Sequence, residues 1–180
     1  MKAKIALILT ILLVLSGCGK GGESEVENTI TVKSPAFENM DYIPIKYTGF
    51  GEDVSIPLQW GNLPDGTKSV AIVMDDPDAP IGTFTHWIIF NIPPDAHGLS
   101  EGVPKKGTLE NGAKQGTNDF GRIGYNGPMP PPGKAHRYRI KVYALDTMLS
   151  LNSGIRIKEF YRAIKGHVIG EGLLTGLYKR

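Results

Sequence analysis

The amino-acid sequence predicts a domain dominated by antiparallel β-strands, with one helix near the C-terminal end. Glycine and proline are frequent, at 23 and 13 of 180 residues, and short apolar runs recur between them, as is typical of antiparallel β domains. Only one stretch has clear helical periodicity. The predicted strands, in chain order, are residues 30–32, 54–58, 69–74, 86–92, 137–145 and 173–178.

The strand near residue 137 alternates with a period of two. One face carries apolar or aromatic side chains and the other carries basic ones, so one face should lie in a core and the other in water. The core face includes His136 and Tyr138, followed by Ile140, Val142 and Ala144. The same alternation places His86 on one face with Ile88 and Phe90. The uninterrupted apolar run 88–90 indicates a central strand that is covered on both faces.

The helix is predicted over residues 156–168, because five large side chains follow helical spacing there. These are Ile157, Phe160, Tyr161, Ile164 and Val168. We expect this helix to pack across one end of the sheets. The preceding long segment, residues 93–127, has little apolar periodicity, and long connections in compact domains are usually functional or mobile. It is predicted to form the outer wall of a pocket.

The chain begins with a segment typical of a secretory signal. Lys2 and Lys4 precede an apolar stretch over residues 5–15. This stretch is shorter than a membrane-spanning helix, which needs about 20 residues. The sequence Leu-Ser-Gly-Cys at 15–18 matches a lipobox, which directs cleavage and lipid attachment at the cysteine. We therefore expect residues 1–17 to be a lipoprotein signal peptide and Cys18 to carry the lipid. Residues 18–28, rich in Gly, Ser and Glu, should form a flexible tether. An ordinary signal peptide is the alternative.

The predicted mature chain, residues 18–180, has equal numbers of basic and acidic side chains. A neutral chain has no strong field that would attract nucleic acid. Its length suits a single domain over residues 29–180. Cys18 is the only cysteine, so the core alone must stabilise the domain, without a disulfide within the chain. We expect an exported protein that a lipid anchors to the membrane on the extracytoplasmic side.

Two proline-rich loops bring acidic and imidazole side chains to strand ends. The first runs from Asp75 through Pro80 towards His86, and the second runs from Gly127 through Gly133 towards His136. Proline fixes its own φ and restricts the residue before it, which makes both loops stiff. Stiff loops that carry two carboxylates and two imidazoles can form a preorganised pocket for a small anion.

The roles of these groups follow from their charges. Carboxylates repel an anion, so Asp76 and Asp78 are expected to accept hydrogen bonds from histidine rings, while His86 and His136 face the ligand. A carboxylate next to an imidazole also favours the protonated ring. Further donors are the backbone N–H groups around Gly127 and Gly133 and the hydroxyls of Tyr125 and Tyr138.

Other interpretations of the same residues remain open. Asp before Pro is a common turn former, and a histidine beside a strand often has a structural role. Two histidines with an aspartate could bind a first-row metal, although no His-x-His or Glu-x-x-His spacing supports a metal site. A serine hydrolase is disfavoured because no Gly-x-Ser-x-Gly motif occurs. We expect no catalysis and no cofactor. His97 is predicted to be solvated, and His167 to cap the helix.

Several segments together resemble the phosphatidylethanolamine-binding protein (PEBP) family, in particular its prokaryotic Raf-kinase-inhibitor-like branch. They are Asp76-Pro77-Asp78-Ala79-Pro80, residues 86–93, Gly127-Pro128, Gly133, His136-Arg137-Tyr138, Gln115-Gly116, residues 118–121 and residues 166–168. The resemblance implies a Greek-key β-sandwich with a cavity for phosphate-like groups and phospholipid headgroups. The residues that it implies for the cavity are Asp76, Asp78, His86, Gly127, Pro128, His136 and Tyr138.

The resemblance leaves two functions open. The first is binding of a small phosphate- or carboxylate-bearing ligand without transforming it. The family also includes inhibitors of kinases and proteases, so the alternative is an interaction module that inhibits such a protein partner through the pocket rim.

Overall fold

The computed structural model describes residues 30–180, so the predicted signal peptide, Cys18 and the tether lie outside the described residues. Its elements, in chain order, are β1 (Thr31–Lys33), a 3-10 helix (Ile45–Tyr47), β2 (Leu58–Gly61), β3 (Ser69–Asp76), β4 (Phe84–Ile92), β5 (Gly98–Leu99), β6 (Lys114–Gln115), β7 (His136–Leu145), α1 (Ile157–Ile164) and β8 (Val168–Tyr178). Within residues 30–180, no helix has the length and apolar character needed to cross a membrane.

The strands form two antiparallel sheets. One has three strands in the order β1-β2-β5, and the other has five in the order β6-β4-β3-β7-β8. The connection from β4 to β7 contributes β5 to one sheet and β6 to the other, and returns the chain beside β3, as in Greek-key arrangements. This architecture confirms the prediction of an antiparallel domain dominated by β-strands with one helix.

The main core lies between the two sheets. It is built from apolar side chains of β1 and β2 on one side and of the five-stranded sheet on the other, including Val32, Trp60, Ile72, Ile89 and Ile140. Every residue of β3 is buried. Ile88, Ile89 and Phe90 are all 0% exposed, which confirms a central strand that is covered on both faces.

The helix α1 covers the outer face of the five-stranded sheet. Phe160 and Ile164 pack with Val73, Ile88 and Phe90 in a second apolar cluster. The expectation that the helix crosses one end of the sheets is therefore wrong. The helix also ends earlier than predicted, because Gly166 adopts a φ of +80°, which glycine tolerates better than other residues, and Val168 already belongs to β8.

Two strands differ from the predicted bounds. The apolar run 54–58 is irregular except for its last residue, and β2 begins at Leu58, directly after Pro57. Proline lacks the N–H that a sheet ladder needs, so the strand starts after it. Strand β8 begins at Val168 rather than near residue 173, because β7 and β8 pair along almost their whole lengths.

Strand β4 contains a bulge at His86. Met74 pairs with Trp87, while the next residue, Asp75, pairs with Thr85. His86 is thus the extra residue on β4, and an extra residue shifts the alternation of the strand. Trp87 packs in the main core and Ile88 in the outer cluster, whereas the ring of His86 meets that of Tyr138, a main-core residue, edge to face. The predicted grouping of His86 with Ile88 and Phe90 is therefore wrong.

Candidate functional site

A cavity of about 240 Å3 lies where the end of β3 meets the beginnings of β4 and β7. Because both strand pairs are antiparallel, Asp76 at the end of β3 lies opposite Phe84 of β4, and Asp75 lies opposite Arg139 of β7. We call this space the strand-end cavity. Twelve residues line it: Asp76, Ala79, Pro80, Ile81, Phe84, His86, Phe120, Met129, Pro130, Pro131, His136 and Tyr138.

His136 and Asp76 form a buried pair in this cavity. Nδ1 of His136 lies 2.8 Å from Oδ2 of Asp76, and their side chains are only 5% and 4% exposed. A carboxylate only accepts hydrogen bonds, so Nδ1 carries a hydrogen and donates it. Nε2 is then the nitrogen of His136 that remains for a ligand. The pair has the arrangement expected from the sequence.

Asp76 is itself held in place by the turn that follows it. Its Oδ1 accepts a hydrogen bond of 2.8 Å from the backbone N–H of Asp78. This local bond is typical of aspartate in turns, and Pro77 stiffens the residue between the two. The carboxylate of Asp76 therefore has one oxygen on the turn and the other on the imidazole.

His86 has a different partner from the one expected. Its Nδ1 lies 2.8 Å from the backbone oxygen of Asn126, so the ring donates to a neutral carbonyl instead of a carboxylate. Burial lowers the pKa of His86 below the usual value of 6.5, although the carbonyl of Asn126 and the charge of Asp76 act in the opposite direction. The expectation that a carboxylate contact would favour the protonated ring does not hold for His86.

Aromatic rings surround the His86 imidazole. Its ring centroid lies 5.3 Å from that of Phe84, 5.4 Å from that of Phe120 and 5.2 Å from that of Tyr138. The last two rings meet it edge to face, a favoured geometry for aromatic pairs. The packing fixes the orientation of His86 from three sides.

Tyr138 lines the cavity and has a buried hydroxyl. The residue is 0% exposed, and its hydroxyl makes no hydrogen bond of regular geometry with the described residues, although the carboxylate of Asp76 and the backbone N–H of Met129 lie near it. Burial, followed by the nearby carboxylate of Asp76, raises the pKa of Tyr138, although the backbone N–H of Met129 acts in the opposite direction, so the hydroxyl keeps its hydrogen at neutral pH. A buried polar group without a partner costs about 1–3 kcal/mol, and such groups in native proteins call for an explanation.

Other residues predicted for the site lie outside the lining of the cavity. Asp78 accepts hydrogen bonds from Nε, Nη2 and the backbone N–H of Arg137, and these bonds hold the pKa of its carboxyl well below the usual range. It therefore orients no histidine. The hydroxyl of Tyr125 donates to the backbone oxygen of Tyr47 and is likewise engaged within the protein.

Gly127 and Pro128, also predicted to line the cavity, are not among its lining residues. The N–H of Gly127 donates to Oδ1 of Asp53, and the oxygen of Pro128 accepts from the N–H of Gly49. A Cβ at Gly127 would lie 2.1 Å from the backbone oxygen of Tyr47. The glycine is thus needed for close approach to another segment of backbone, and not for approach to a ligand.

The long segment 93–127 contributes less to the cavity than predicted. Of its residues, Phe120 alone is part of the lining, and the other walls come from residues 79–84 and 129–131. Most of the segment instead closes the sandwich through β5 and β6 and packs against the main core through Leu99, Val103 and Leu109.

Sequence reasoning missed two residues that hold the site together. Asn126 provides the carbonyl for His86, and its side chain bonds to Asn118 and Asp53. Asp53 binds the side chain of Asn126, the N–H of Gly127 and Nζ of Lys105. Asp53 lies 73 residues from Asn126 in sequence, and no local pattern predicts such a contact.

The two remaining histidines lie elsewhere. His97 is exposed, in agreement with the sequence prediction. His167 follows α1 and contacts Oδ1 of Asp146 through Nδ1, while its backbone N–H donates to the oxygen of Ile164. Within residues 30–180, no group of three or more His, Cys, Asp or Glu side chains is arranged to hold a metal ion.

Comparison with known proteins identifies the family. The family model described as phosphatidylethanolamine-binding protein matches residues 33–179. The chain belongs to the phosphatidylethanolamine-binding protein family. A UPF0098 protein of Pyrococcus horikoshii is 50% identical over 184 residues, with 100% of this chain and 91% of the relative covered. A UPF0098 protein of Methanothermobacter thermautotrophicus is 50% identical over 151 residues, with 84% of this chain and 99% of the relative covered.

Solved structures in the PEBP family have the same fold. A structure of Escherichia coli YbcL, described as a new member of the mammalian PEBP family, matches with a TM-score of 0.79 and 32% identity, and covers 84% of this chain and 99% of its own. A putative PEBP homolog from Chlamydia trachomatis matches with a TM-score of 0.77 and 35% identity, over 86% and 99% of the two chains. The predicted family and fold class are therefore confirmed.

Proposed function

We propose that this PEBP-family protein binds a small anion in the strand-end cavity and leaves it chemically unchanged. The observation that carries the proposal is that two histidines line the cavity with their Nδ1 atoms already engaged, beside Tyr138, whose hydroxyl makes no hydrogen bond of regular geometry. An anionic oxygen in the cavity could accept a hydrogen bond from that hydroxyl. The same anion could contact Nε2 of both histidines.

The lining also indicates what the ligand carries besides its charge. Eight of the twelve lining residues are apolar, and among them Ile81 is 85% exposed at the rim. A ligand with an anionic head and an apolar substituent matches this distribution. Phosphate monoesters, phospholipid headgroups and carboxylates have this character.

The residues around the cavity support binding over catalysis. The twelve lining residues, all within the described part of the chain, include no serine, threonine or cysteine. The hydroxyl among these lining residues is the phenol of Tyr138, whose pKa is raised by burial, so a histidine there has no aliphatic hydroxyl or thiol beside it to activate as a nucleophile. We therefore propose a binding protein that is not an enzyme and needs no cofactor.

Calorimetric titration tests the proposal, with inorganic phosphate and glycerophosphoethanolamine as probes at pH 6.5. We expect binding by the wild type, and ligand at 100 times its Kd should add about 2.7 kcal/mol to the free energy of unfolding. His86→Ala and His136→Ala should remove most of the affinity, and Asp76→Asn should weaken it because the hydrogen bond to His136 is no longer charge-assisted.

The matched control is His167→Ala, which removes a partly exposed imidazole paired with Asp146 away from the cavity. This variant should titrate like the wild type. Unchanged titrations for both His86→Ala and His136→Ala would contradict the proposed site.

We further propose that lipid on Cys18 anchors the protein on the extracytoplasmic side of a membrane. The support is the sequence Leu-Ser-Gly-Cys after a short apolar stretch with two preceding lysines. Cys18→Ala should move the protein from the membrane fraction to the soluble fraction after cell lysis. A variant that still sediments with membranes would refute the anchor.

A second candidate function is interaction with a protein through the rim of the cavity. The specific observation is that Ile81 and Met129, 85% and 49% exposed, stand beside the opening. An inhibitor of a protease or kinase that uses this rim would keep its inhibitory activity in His86→Ala and lose it in Ile81→Asp. If the protein instead binds a small anion, His86→Ala should lose phosphate binding and Ile81→Asp should keep it.

A further inference from the structure

The hydrogen bond of His86 fixes what its ring offers to a ligand. The oxygen of Asn126 can only accept, so the hydrogen of the neutral imidazole must lie on Nδ1, 2.8 Å away. Nε2 then carries a lone pair and no hydrogen. A neutral His86 therefore presents an acceptor to the strand-end cavity, although the neighbouring hydroxyl of Tyr138 is a donor.

A fully ionised carboxylate or phosphate also presents only acceptors. Placed against neutral His86, it would bring its lone pairs towards the lone pair of Nε2. Among the twelve lining residues, which all belong to the described part of the chain, there is no lysine or arginine to offset the anion's charge. His136 has the carboxylate of Asp76 at its Nδ1, while the hydrogen-bond partner of His86 is uncharged.

We propose that the strand-end cavity binds its anion together with one proton, which is held between Nε2 of His86 and the bound oxygen. In this step, neutral His86 and one proton from solvent give an imidazolium whose new N–H donates to the anion. No other bond is made or broken. The inference rests on the proposed function and deepens it, because it selects singly charged acids over doubly charged ones.

The surroundings of His86 agree with proton uptake on binding. The titratable groups that face it are Asp76 from β3, His136 and Tyr138 from β7, and Asp119 from the segment before β7. Both aspartates favour an imidazolium, but burial outweighs them and lowers the pKa of His86. The empty site therefore holds a neutral ring at pH 7 and above, and the proton must arrive with the ligand.

Isothermal titration with butyrate tests this inference, because butyrate is fully ionised over pH 7–9 and its own titration contributes no protons. At pH 8 we expect the binding heat to differ between Tris and HEPES by an amount that corresponds to uptake of about one proton per butyrate. The Kd should rise roughly 10-fold for each pH unit above 7, as linkage requires for one proton taken up.

His86→Gln provides the matched variant. Its amide N–H2 is a permanent donor close to the former Nε2 position, so butyrate should bind with equal heats in the two buffers and a Kd independent of pH. His167→Gln, on the surface away from the cavity, should keep the wild-type pattern. Circular dichroism establishes that each variant is folded. The comparison of binding heats in the two buffers tests proton uptake on the wild type alone, even if a variant does not fold.

The possible results separate this inference from the proposed function. Equal heats in both buffers and a constant Kd for the wild type would overturn proton uptake and leave anion binding intact. Absence of binding for butyrate, phosphate and glycerophosphoethanolamine at every pH from 6 to 9 would overturn both.

Discussion

Tyr138 is the residue whose role can be separated most cleanly from folding. Its buried hydroxyl makes no hydrogen bond of regular geometry with residues 30–180, so Tyr138→Phe removes a group that costs free energy in the empty state. We expect the free energy of unfolding to stay unchanged or rise by about 1 kcal/mol, while phosphate affinity falls roughly tenfold or more, the loss of one hydrogen bond to a charged group. Urea denaturation and calorimetry measure the two effects. A variant that loses stability and keeps its affinity would assign the hydroxyl to the fold instead of the ligand.

His86 makes the stability of the empty protein depend on pH. Its pKa is lowered in the folded state, and the unfolded value is about 6.5. As the pH falls below 6.5, the unfolded chain binds a proton that the folded chain does not, so the stability present above 6.5 is progressively lost until the lowered pKa is passed.

The difference between wild type and His86→Gln isolates this effect. In phosphate-free buffer, the free energy of unfolding of the wild type should fall relative to the variant between pH 6.5 and 5, with a slope of at most about 1.4 kcal/mol per pH unit. Urea denaturation at several pH values measures the slope. A difference that does not change with pH would show that His86 titrates alike in both states.

At the scale of single residues, the sequence predicts chemistry better than partners. A hydrogen bond from a histidine ring to Asp76 could be predicted because a stiff turn and a strand start limit where each side chain can point, but the sequence did not assign it to His136 in particular. The hydrogen bond between Asp78 and Arg137 could not be predicted, because several basic groups compete for a carboxylate near the surface. The carbonyl partner of His86 could not be predicted either, since backbone oxygens leave no trace in residue identity.

Among the structural elements, the turn at residues 126–128 is held mainly by one distant side chain. Asp53 accepts from the Asn126 amide at 2.8 Å and from the Gly127 N–H, and it adopts a φ of +55°, which asparagine also tolerates. Asp53→Asn leaves one of these donors unsatisfied. We expect a loss of about 1–3 kcal/mol in stability together with weaker phosphate binding, because the Asn126 carbonyl no longer fixes His86.

Lys105→Ala is the control for this prediction. It removes the ion pair to Asp53, in which Nζ lies 2.6 Å from Oδ2 and the lysine side chain is 40% exposed. Exposed pairs contribute less than about 1 kcal/mol, so stability and affinity should change little. Thermal denaturation and phosphate titration of both variants provide the comparison. If Lys105→Ala and Asp53→Asn lower stability and affinity equally, Asp53 acts through its ion pair and not through its hydrogen bonds to the turn.

The strands show where periodicity works as a guide. In β7 the alternation is regular, and the predicted core face is buried from His136 through Ala144. In β4 the bulge interrupts the alternation, so the same reasoning assigned His86 to the wrong face. A bulge depends on how two strands pair, and one strand's sequence does not reveal it.

Across the whole molecule, two apolar layers lie on opposite faces of the five-stranded sheet. The outer layer contributes to stability, whereas the inner layer also adjoins the strand-end cavity. Phe160 is 0% exposed in the outer layer, where its ring lies 6.4 Å from that of Phe90, while the strand-end cavity adjoins the main core through Tyr138. Phe160→Ala should therefore cost about 3–5 kcal/mol of stability with little change in phosphate affinity. Urea denaturation and calorimetry below the unfolding transition measure both. Loss of affinity in the folded variant would show that the two layers are coupled.

The fold class, the family and the gathering of Asp76, His86, His136 and Tyr138 were all within reach of the sequence. Short apolar runs between glycines and prolines limit the architecture, and the stiff loops limit where their acidic and imidazole side chains can lie. The position of α1 was beyond reach, because an amphipathic helix can cover a face or an end equally well. The role of Asp53 was also beyond reach, since it depends on a contact across 73 residues.

The bulge at His86 divides β4 into two parts with independent registers. Residues 87–89 follow the register of the buried interior, and residues 84–85 follow that of the opening. Loop segments exchanged between relatives upstream of this division would change which molecules the opening admits without repacking the interior. A protein built this way can acquire new specificities by small grafts, and His86 marks the boundary at which such grafts should be joined.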